Sequence, residues 1–151
     1  MIAVLQRVSS GEVKISGRIN GKIDQGYVIL LGVADDDEQK DADWLAEKVV
    51  GLRIFEDENE KMNFSIKDIE GKALVISQFT LLADYKRGRR PGFTRAAKPE
   101  KAIPLYEHFM DQLWHHGIEV EKGEFGKDMQ VHIMNEGPVT LVLDSTVKFA
   151  R

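Results

Sequence analysis

The chain has 151 residues, close to the ~150 typical of one domain and enough to hide roughly two-thirds of its unfolded surface. Hydrophobic residues make up 42% and charged residues 30%, which excludes a disordered chain, a collagen and a membrane span. There is no cysteine, so thiolate chemistry, disulfide frameworks and cysteine-bound metals are excluded, and a cytoplasmic setting is the expectation. Six of the 21 basic residues and none of the 25 acidic ones lie in KRGRRPGFTRAAK, residues 86–98. That segment carries +6, and the remainder, with 15 basic against 25 acidic groups, carries −10. One concentrated basic loop on an acidic chain reads either as a solvated surface loop or as a single contact with a polyanion. The missing counter-acids, and the glycine and proline that shape the loop, point toward the polyanion.

In chain order, IAVLQRV at 2–8 and EVKIS at 12–16 have β-type patterning, with turns expected at Gly17, Asn20 and Gly21. The nearly continuous apolar run YVILLGV at 27–33 predicts a central strand buried on both faces. The acids Asp35, Asp36, Asp37 and Glu38 lead into a helix, with Asp36 or Asp37 as N-cap and Ala42, Leu45, Val49 and Leu52 at helical spacing. Residues 56–72 are polar and turn-rich, and ALVISQF at 73–79 predicts another core strand. A second helix is expected over 99–116, with Ile103, Tyr106, Phe109, Met110 and Leu113 on one stripe and Gly117 as its stop. A short strand at 118–122 and two more at 129–134 and 139–145 complete the order. The prediction is an α+β fold over residues 1–151 as a single domain: a β-rich sandwich or barrel-like sheet with two helices packed on it. No Gly-rich turn opens either helix, which argues against a βαβ nucleotide-binding fold.

The histidines offer no obvious chemistry. His108, His115 and His116 share one helix without an i,i+4 pair or an HExxH motif, and His132 alternates with apolar neighbours in a strand. Metal ligation is therefore not expected, no cofactor is expected, and no histidine has an evident serine or aspartate partner. Two polar punctuations remain at strand ends. Ser77, Gln78, Phe79 and Thr80 follow a core strand, and Asn135, Glu136, Gly137 and Pro138 separate two strands. Alone, the first reads as hydrogen-bonding plugs and the second as a turn.

Together, SQFTL at 77–81, NEGPVT at 135–140 and RGRRPGF at 87–93 resemble the D-aminoacyl-tRNA deacylase family, once named D-tyrosyl-tRNA deacylases. The resemblance begins at MIAVLQRV, continues through LLGV at 30–33, RIF at 53–55 and GEFGKDMQV at 123–131, and reaches the last strand. The tail after Leu143 is slightly longer than in the shortest members expected. This resemblance implies a hydrolase that cleaves the ester between a D-amino acid and the 3′-terminal adenosine of tRNA, with Gly-tRNA(Ala) as a further substrate. It implies a homodimer with its sites at the subunit interface, and neither DNA nor membrane as a partner. The catalytic segment implied is Ser77, Gln78, Phe79 and Thr80, with backbone N–H groups around Phe79 and Thr80 holding the oxyanion. Thr80 is expected to line the site rather than act as nucleophile, and the tRNA 2′-hydroxyl is implied to assist. Gly137 and Pro138 correspond to a Gly-cis-Pro motif that enters the other subunit's pocket and rejects L-amino acids. Phe125, Met129 and Asn135 are implied substrate-binding residues, the first two for adenine. Lys86, Arg87, Arg89 and Arg90 are expected on tRNA phosphates. The alternative reading is a tRNA-binding module without catalysis.

Overall fold

The computed structural model describes residues 1–150. A long first strand, β1 (Ile2–Ile15), organises the sheet. Its first half pairs antiparallel with β3 (Gly26–Gly32), its second half with β2 (Arg18–Ile23), and its other edge with β8 (Gln130–Asp144) almost from end to end. β6 (Lys72–Ser77) adds in parallel to β3, and β7 (Val120–Lys122) in parallel to β6. The sheet then curls until β2 meets β7, where the Asn20 side-chain amide donates to the Lys122 carbonyl at 2.8 Å. The result is the expected α+β architecture with a nearly closed, barrel-like sheet and two helices.

Alternation along the strands divides the apolar residues between two cores. Val8, Val13, Ile23, Val28, Leu74 and Ile76 fill the curled interior. Ala3, Leu5, Tyr27, Ile29, Leu31, Ala73 and Val75 face the helices on the opposite side. There α1 (Gln39–Gly51) contributes Ala42, Leu45, Ala46 and Val49, and α2 (Pro99–His115) contributes Ala102, Tyr106, Phe109, Met110 and Leu113. Burying each large apolar side chain fully is worth roughly 1.5–3 kcal/mol, so the helix-side core is the main source of cohesion. Tyr106 resolves its polarity by donating its hydroxyl to the Val75 carbonyl at 2.9 Å, which ties α2 to β6.

Several elements differ from expectation for identifiable reasons. Asp36 and Asp37 do not cap α1. The N-cap is Glu38, whose side chain forms a reciprocal capping box with Asp41, while Asp37 turns inward to bind the N-terminal ammonium. β1 runs unbroken through Ser9–Gly11, because β8 pairs with it there and removes the need for a turn. Asn20 and Gly21 lie inside β2 rather than in a turn. The polar segment contains a small hairpin of β4 (Phe55–Glu56) and β5 (Met62–Phe64). Where two strands were expected over 129–134 and 139–145, one strand, β8, runs from Gln130 to Asp144. Helix α1 and helix α2 each cross between parallel strands, so βαβ crossovers are present although neither helix opens on a Gly-rich turn. Ile103 is only partly buried, and Ala102 takes its place on the inner stripe.

The start of β6 is fixed by a close approach. Gly26 has φ +156°, and a Cβ on it would stand 1.8 Å from the Lys72 carbonyl oxygen, so this parallel pairing requires glycine. What that pairing delivers, at its far end, is Ser77.

Candidate active site

β6 stops at Ser77, two residues short of the expected end: the Gln78 N–H makes the last bond to β3, to the Leu31 carbonyl at 2.8 Å, and the chain then tightens into a 3-10 turn over Phe79–Leu82. The first N–H groups of such a turn precede any intrahelical acceptor, and among the described residues those of Phe79 and Thr80 have no hydrogen-bond acceptor, the first bond of the turn running from the Leu81 N–H to the Gln78 carbonyl. Phe79 is 55% exposed and meets Phe93 edge-on, with ring centroids 5.1 Å apart. That contact joins the turn to the far arm of the basic loop. The Gln78 amide donates to the Thr80 hydroxyl, and no carboxylate or imidazole is hydrogen-bonded to Thr80 among the described residues.

A pocket of about 320 Å³ opens here. It is lined on one side by Ile76, Ser77, Gln78 and Phe79, and on the other by the segment Phe125 to Met129. The structure therefore brings together Ser77, Gln78, Phe79, Phe125 and Met129, which come from two segments well separated in sequence. Phe125 is half-buried and packs against Tyr106 at 6.2 Å between centroids, so the α2 core sets its position. The Met129 sulfur fills the space beside Gly123, where a Cβ would lie 2.6 Å from it.

Thr80, Asn135, Gly137 and Pro138 are not among the residues lining this pocket. Asn135 is exposed on β8, its amide donating to the Gln6 side chain at 3.0 Å, and Thr140 donates to the same oxygen at 3.3 Å. Gln6 thus braces both arms of the bend that carries Gly137 and Pro138. The Gly137–Pro138 peptide bond is cis, and both residues are exposed.

One residue beside this bend is not singled out by the motifs. Arg7 is almost fully buried; its Nε donates to the Glu136 carbonyl at 3.1 Å and its Nη1 to the Ile54 carbonyl at 2.7 Å. The remaining nitrogen lies 3.8 Å from Glu56. Arg7 clamps the residue preceding Gly137 to the segment that follows α1. A signal was available: strand alternation puts Arg7 on the same face as the buried Ala3 and Leu5, and an arginine at a core position needs fixed partners. Next to it, burial pushes the Tyr27 hydroxyl well above its ordinary pKa, while the Arg7 charge works in the other direction.

Lys86, Arg87, Arg89 and Arg90 stand exposed on a loop closed by paired backbone hydrogen bonds between Asp84 and Gly92, at 2.7 and 2.8 Å. None of the six basic side chains between 86 and 98 forms an ion pair among the described residues. Two of the four histidines are occupied elsewhere. His108 bonds Asp43 across the helices at 2.5 Å, and His115 meets the Asp111 carbonyl at 2.8 Å in the last turn of α2.

A row of side chains crosses the sheet on the face opposite the helices. In register it runs Val142, Val4, Leu30, Ile76. Ile76 lines the pocket, whereas Val142 at the other end is 68% exposed. The pocket thus opens at the buried end of a row that becomes partly exposed at Leu30 and Val4 and fully exposed at Val142.

Comparison with known proteins gives a consistent picture. The D-Tyr-tRNA(Tyr) deacylase family matches residues 4–144. A D-aminoacyl-tRNA deacylase of Exiguobacterium sibiricum is 54% identical over 95% of this chain and 99% of its own length. Another, from Thermotoga petrophila, is 52% identical over 99% of this chain and the whole of its own. Among solved structures, a c-Myc DNA unwinding element binding protein superposes with a TM-score of 0.89 at 38% identity, covering 95% of this chain and 98% of that one. A probable eukaryotic D-amino acid tRNA deacylase shares the fold with a TM-score of 0.81 at 16% identity, over 94% of this chain and 97% of its own. The chain belongs to the D-Tyr-tRNA(Tyr) deacylase family.

Proposed function

We propose that this chain, a D-aminoacyl-tRNA deacylase by family, hydrolyses the ester between a D-amino acid and the 3′-terminal adenosine of tRNA in the pocket between Ser77–Phe79 and Phe125–Met129. The observation that carries the reading is the convergence of those two distant segments on one open pocket beside an unpaired basic loop. An aromatic ring and a thioether suit the face of a purine, so Phe125 and Met129 receive the terminal adenine. The aminoacyl carbonyl then lies toward the turn, where the N–H groups of Phe79 and Thr80 stabilise the oxyanion as water adds to the carbonyl carbon. The tetrahedral species expels the 3′-oxygen, which leaves tRNA and the free amino acid. Thr80 has no base beside it, and its side chain stands next to the pocket lining rather than in it, so it is not the nucleophile. The adenosine 2′-hydroxyl, adjacent to the ester, assists proton movement.

The Gly137–Pro138 segment is read as the chirality filter. It is exposed, braced by Gln6 and clamped by Arg7, as a rigid backbone wall must be to exclude an L side chain at the α-carbon. Glycine, with only hydrogens there, passes, which makes Gly-tRNA(Ala) a second substrate. The segment serves the pocket of a second subunit. Supporting this homodimer are two exposed apolar side chains, Phe79 at the pocket and Val142 at the far end of the row through Val4 and Leu30; light scattering at twice 17.1 kDa is the expected result. Charged tRNA as substrate sets the place of action as the cytoplasm.

The deciding experiment follows free amino acid from D-Tyr-tRNA and L-Tyr-tRNA. Hydrolysis of the D ester alone is expected, and tRNA ending in 2′-deoxyadenosine is expected to slow it by roughly 10²–10⁴-fold, the range of general acid–base assistance. Binding without turnover would instead make the chain a tRNA-binding module.

The basic loop supports a second expectation. Replacing Arg89 and Arg90 with glutamine weakens tRNA binding and reduces the log–log salt slope by roughly 0.7–0.9 for each phosphate that is no longer neutralised. An unchanged slope and affinity would return the loop to solvent.

A further inference from the structure

The pocket between Ser77–Phe79 and Phe125–Met129 has a single cation among its lining residues, Lys127, and none of the basic side chains of the 86–98 loop. The backbone sets where Lys127 stands. Its N–H donates to the Glu124 carbonyl at 3.3 Å, closing a four-residue turn in which Gly126 takes φ +80°. A Cβ on Gly126 would meet nothing within 4 Å, so glycine serves the left-handed backbone of the turn rather than a close approach. The segment is anchored on both sides of this turn. Phe125 packs on Tyr106, and the Met129 sulfur fills the space beside Gly123. The root of Lys127 is thus held between the two side chains proposed to receive the adenine.

The side chain itself is uncommitted. Lys127 is exposed and forms no ion pair among the described residues, although Asp128 follows it on the same wall and Glu124 opens the turn. A terminal adenosine brings an anion to this place. Its 5′ carbon carries the phosphodiester to the preceding nucleotide, so that charge lies at the pocket mouth once the base and the ester are seated. A lysine serves such a group as a flexible point charge. The basic loop joins the site from the other wall, where Phe93 meets Phe79, and is free for phosphates farther along the strand.

We propose that Lys127 binds the phosphodiester that links the terminal adenosine to the rest of the tRNA, so that the pocket favours the end of a polynucleotide over a free aminoacyl nucleoside. The inference rests on the deacylase reading and adds to it a subsite and the residue that forms it.

The test compares D-Tyr-tRNA with D-Tyr-tRNA whose last internucleotide link is a neutral methylphosphonate, so that only one charge differs. The wild-type chain is expected to favour the natural link in kcat/KM by roughly three- to tenfold, between an exposed ion pair and a charge-assisted hydrogen bond. In Lys127→Gln and Lys127→Met that ratio should fall to within about twofold of one, while Lys127→Arg, which keeps the charge, should retain most of it. A purely structural role for Lys127 would lower both rates together and leave the ratio as it is in the wild type. That outcome, or a wild-type ratio near one, would overturn the inference and leave the deacylase reading standing. Hydrolysis of neither D ester by the wild-type chain would overturn that reading and this inference with it.

Discussion

Replacing Arg7 with alanine is expected to destabilise the protein by about 3 kcal/mol or more and to impair hydrolysis of D-aminoacyl-tRNA in whatever fraction remains folded. Hydrogen bonds from a charged donor contribute roughly 1.5–3 kcal/mol each, and Arg7 makes two of them to backbone carbonyls that are far apart in the chain. Alanine leaves the Ile54 and Glu136 carbonyls without that donor and opens a cavity beside Tyr27, whose hydroxyl already has no hydrogen-bond partner among the described residues. Lysine does not repair this, since a single ammonium replaces a planar fork that reaches both carbonyls at once. Urea unfolding and D-Tyr-tRNA kinetics on Arg7→Ala and Arg7→Lys check the point. A destabilisation below about 1 kcal/mol in Arg7→Ala, less than one such hydrogen bond, would show that the guanidinium is peripheral.

The contrast between Arg7 and its neighbours explains what is legible in the sequence and what is not. Periodicity reports which face a residue takes, so the apolar run at 27–33 and the stripe through Tyr106, Phe109 and Leu113 appear in the structure as read. Pairing is not local information. Nothing in Ser9–Gly11 states that β8 will lie alongside and carry β1 through as one strand, and nothing in Gln130–Asp144 states that two short strands are one. Asp37 shows the same limit: an acid before a helix is normally a cap, and only the folded chain brings Met1 to it. The site divides likewise. Ser77–Phe79, Phe125 and Met129 stand out through motif resemblance, and folding assembles them in one pocket. Gly137 and Pro138 stand out equally, yet a single chain leaves them outside that pocket, at an exposed bend. Gln6 and Arg7 lie within MIAVLQRV, to which the resemblance assigns no role; alternation marks Arg7 as a core arginine, but that both residues hold the bend shows only in the hydrogen bonds they make.

That bend gives the other large effect expected, from Gly137→Ala. Gly137 has φ +123°, a region in which an L residue is strained by roughly 1–3 kcal/mol. The added Cβ would also lie 2.9 Å from Arg7 Nη2, 3.0 Å from Val139 Cγ2 and 3.1 Å from the Val139 nitrogen. A long side chain normally yields to such an approach. Arg7 cannot do so freely, because Ile54 and Glu136 pin the same guanidinium and the residue is buried. Either the backbone at 137 shifts or Arg7 releases the Glu136 carbonyl. In both cases the wall proposed to reject L-amino acids moves. The expected outcome is a modest fall in stability together with at least about a tenfold fall in the ratio of D- to L-Tyr-tRNA hydrolysis, which corresponds to about 1.4 kcal/mol of discrimination. Since the two side chains would meet directly, Gly137→Ala and Arg7→Lys should combine non-additively in that ratio. Normal stability with unchanged D and L rates in Gly137→Ala would remove the bend from the specificity mechanism and leave Arg7 a purely structural clamp.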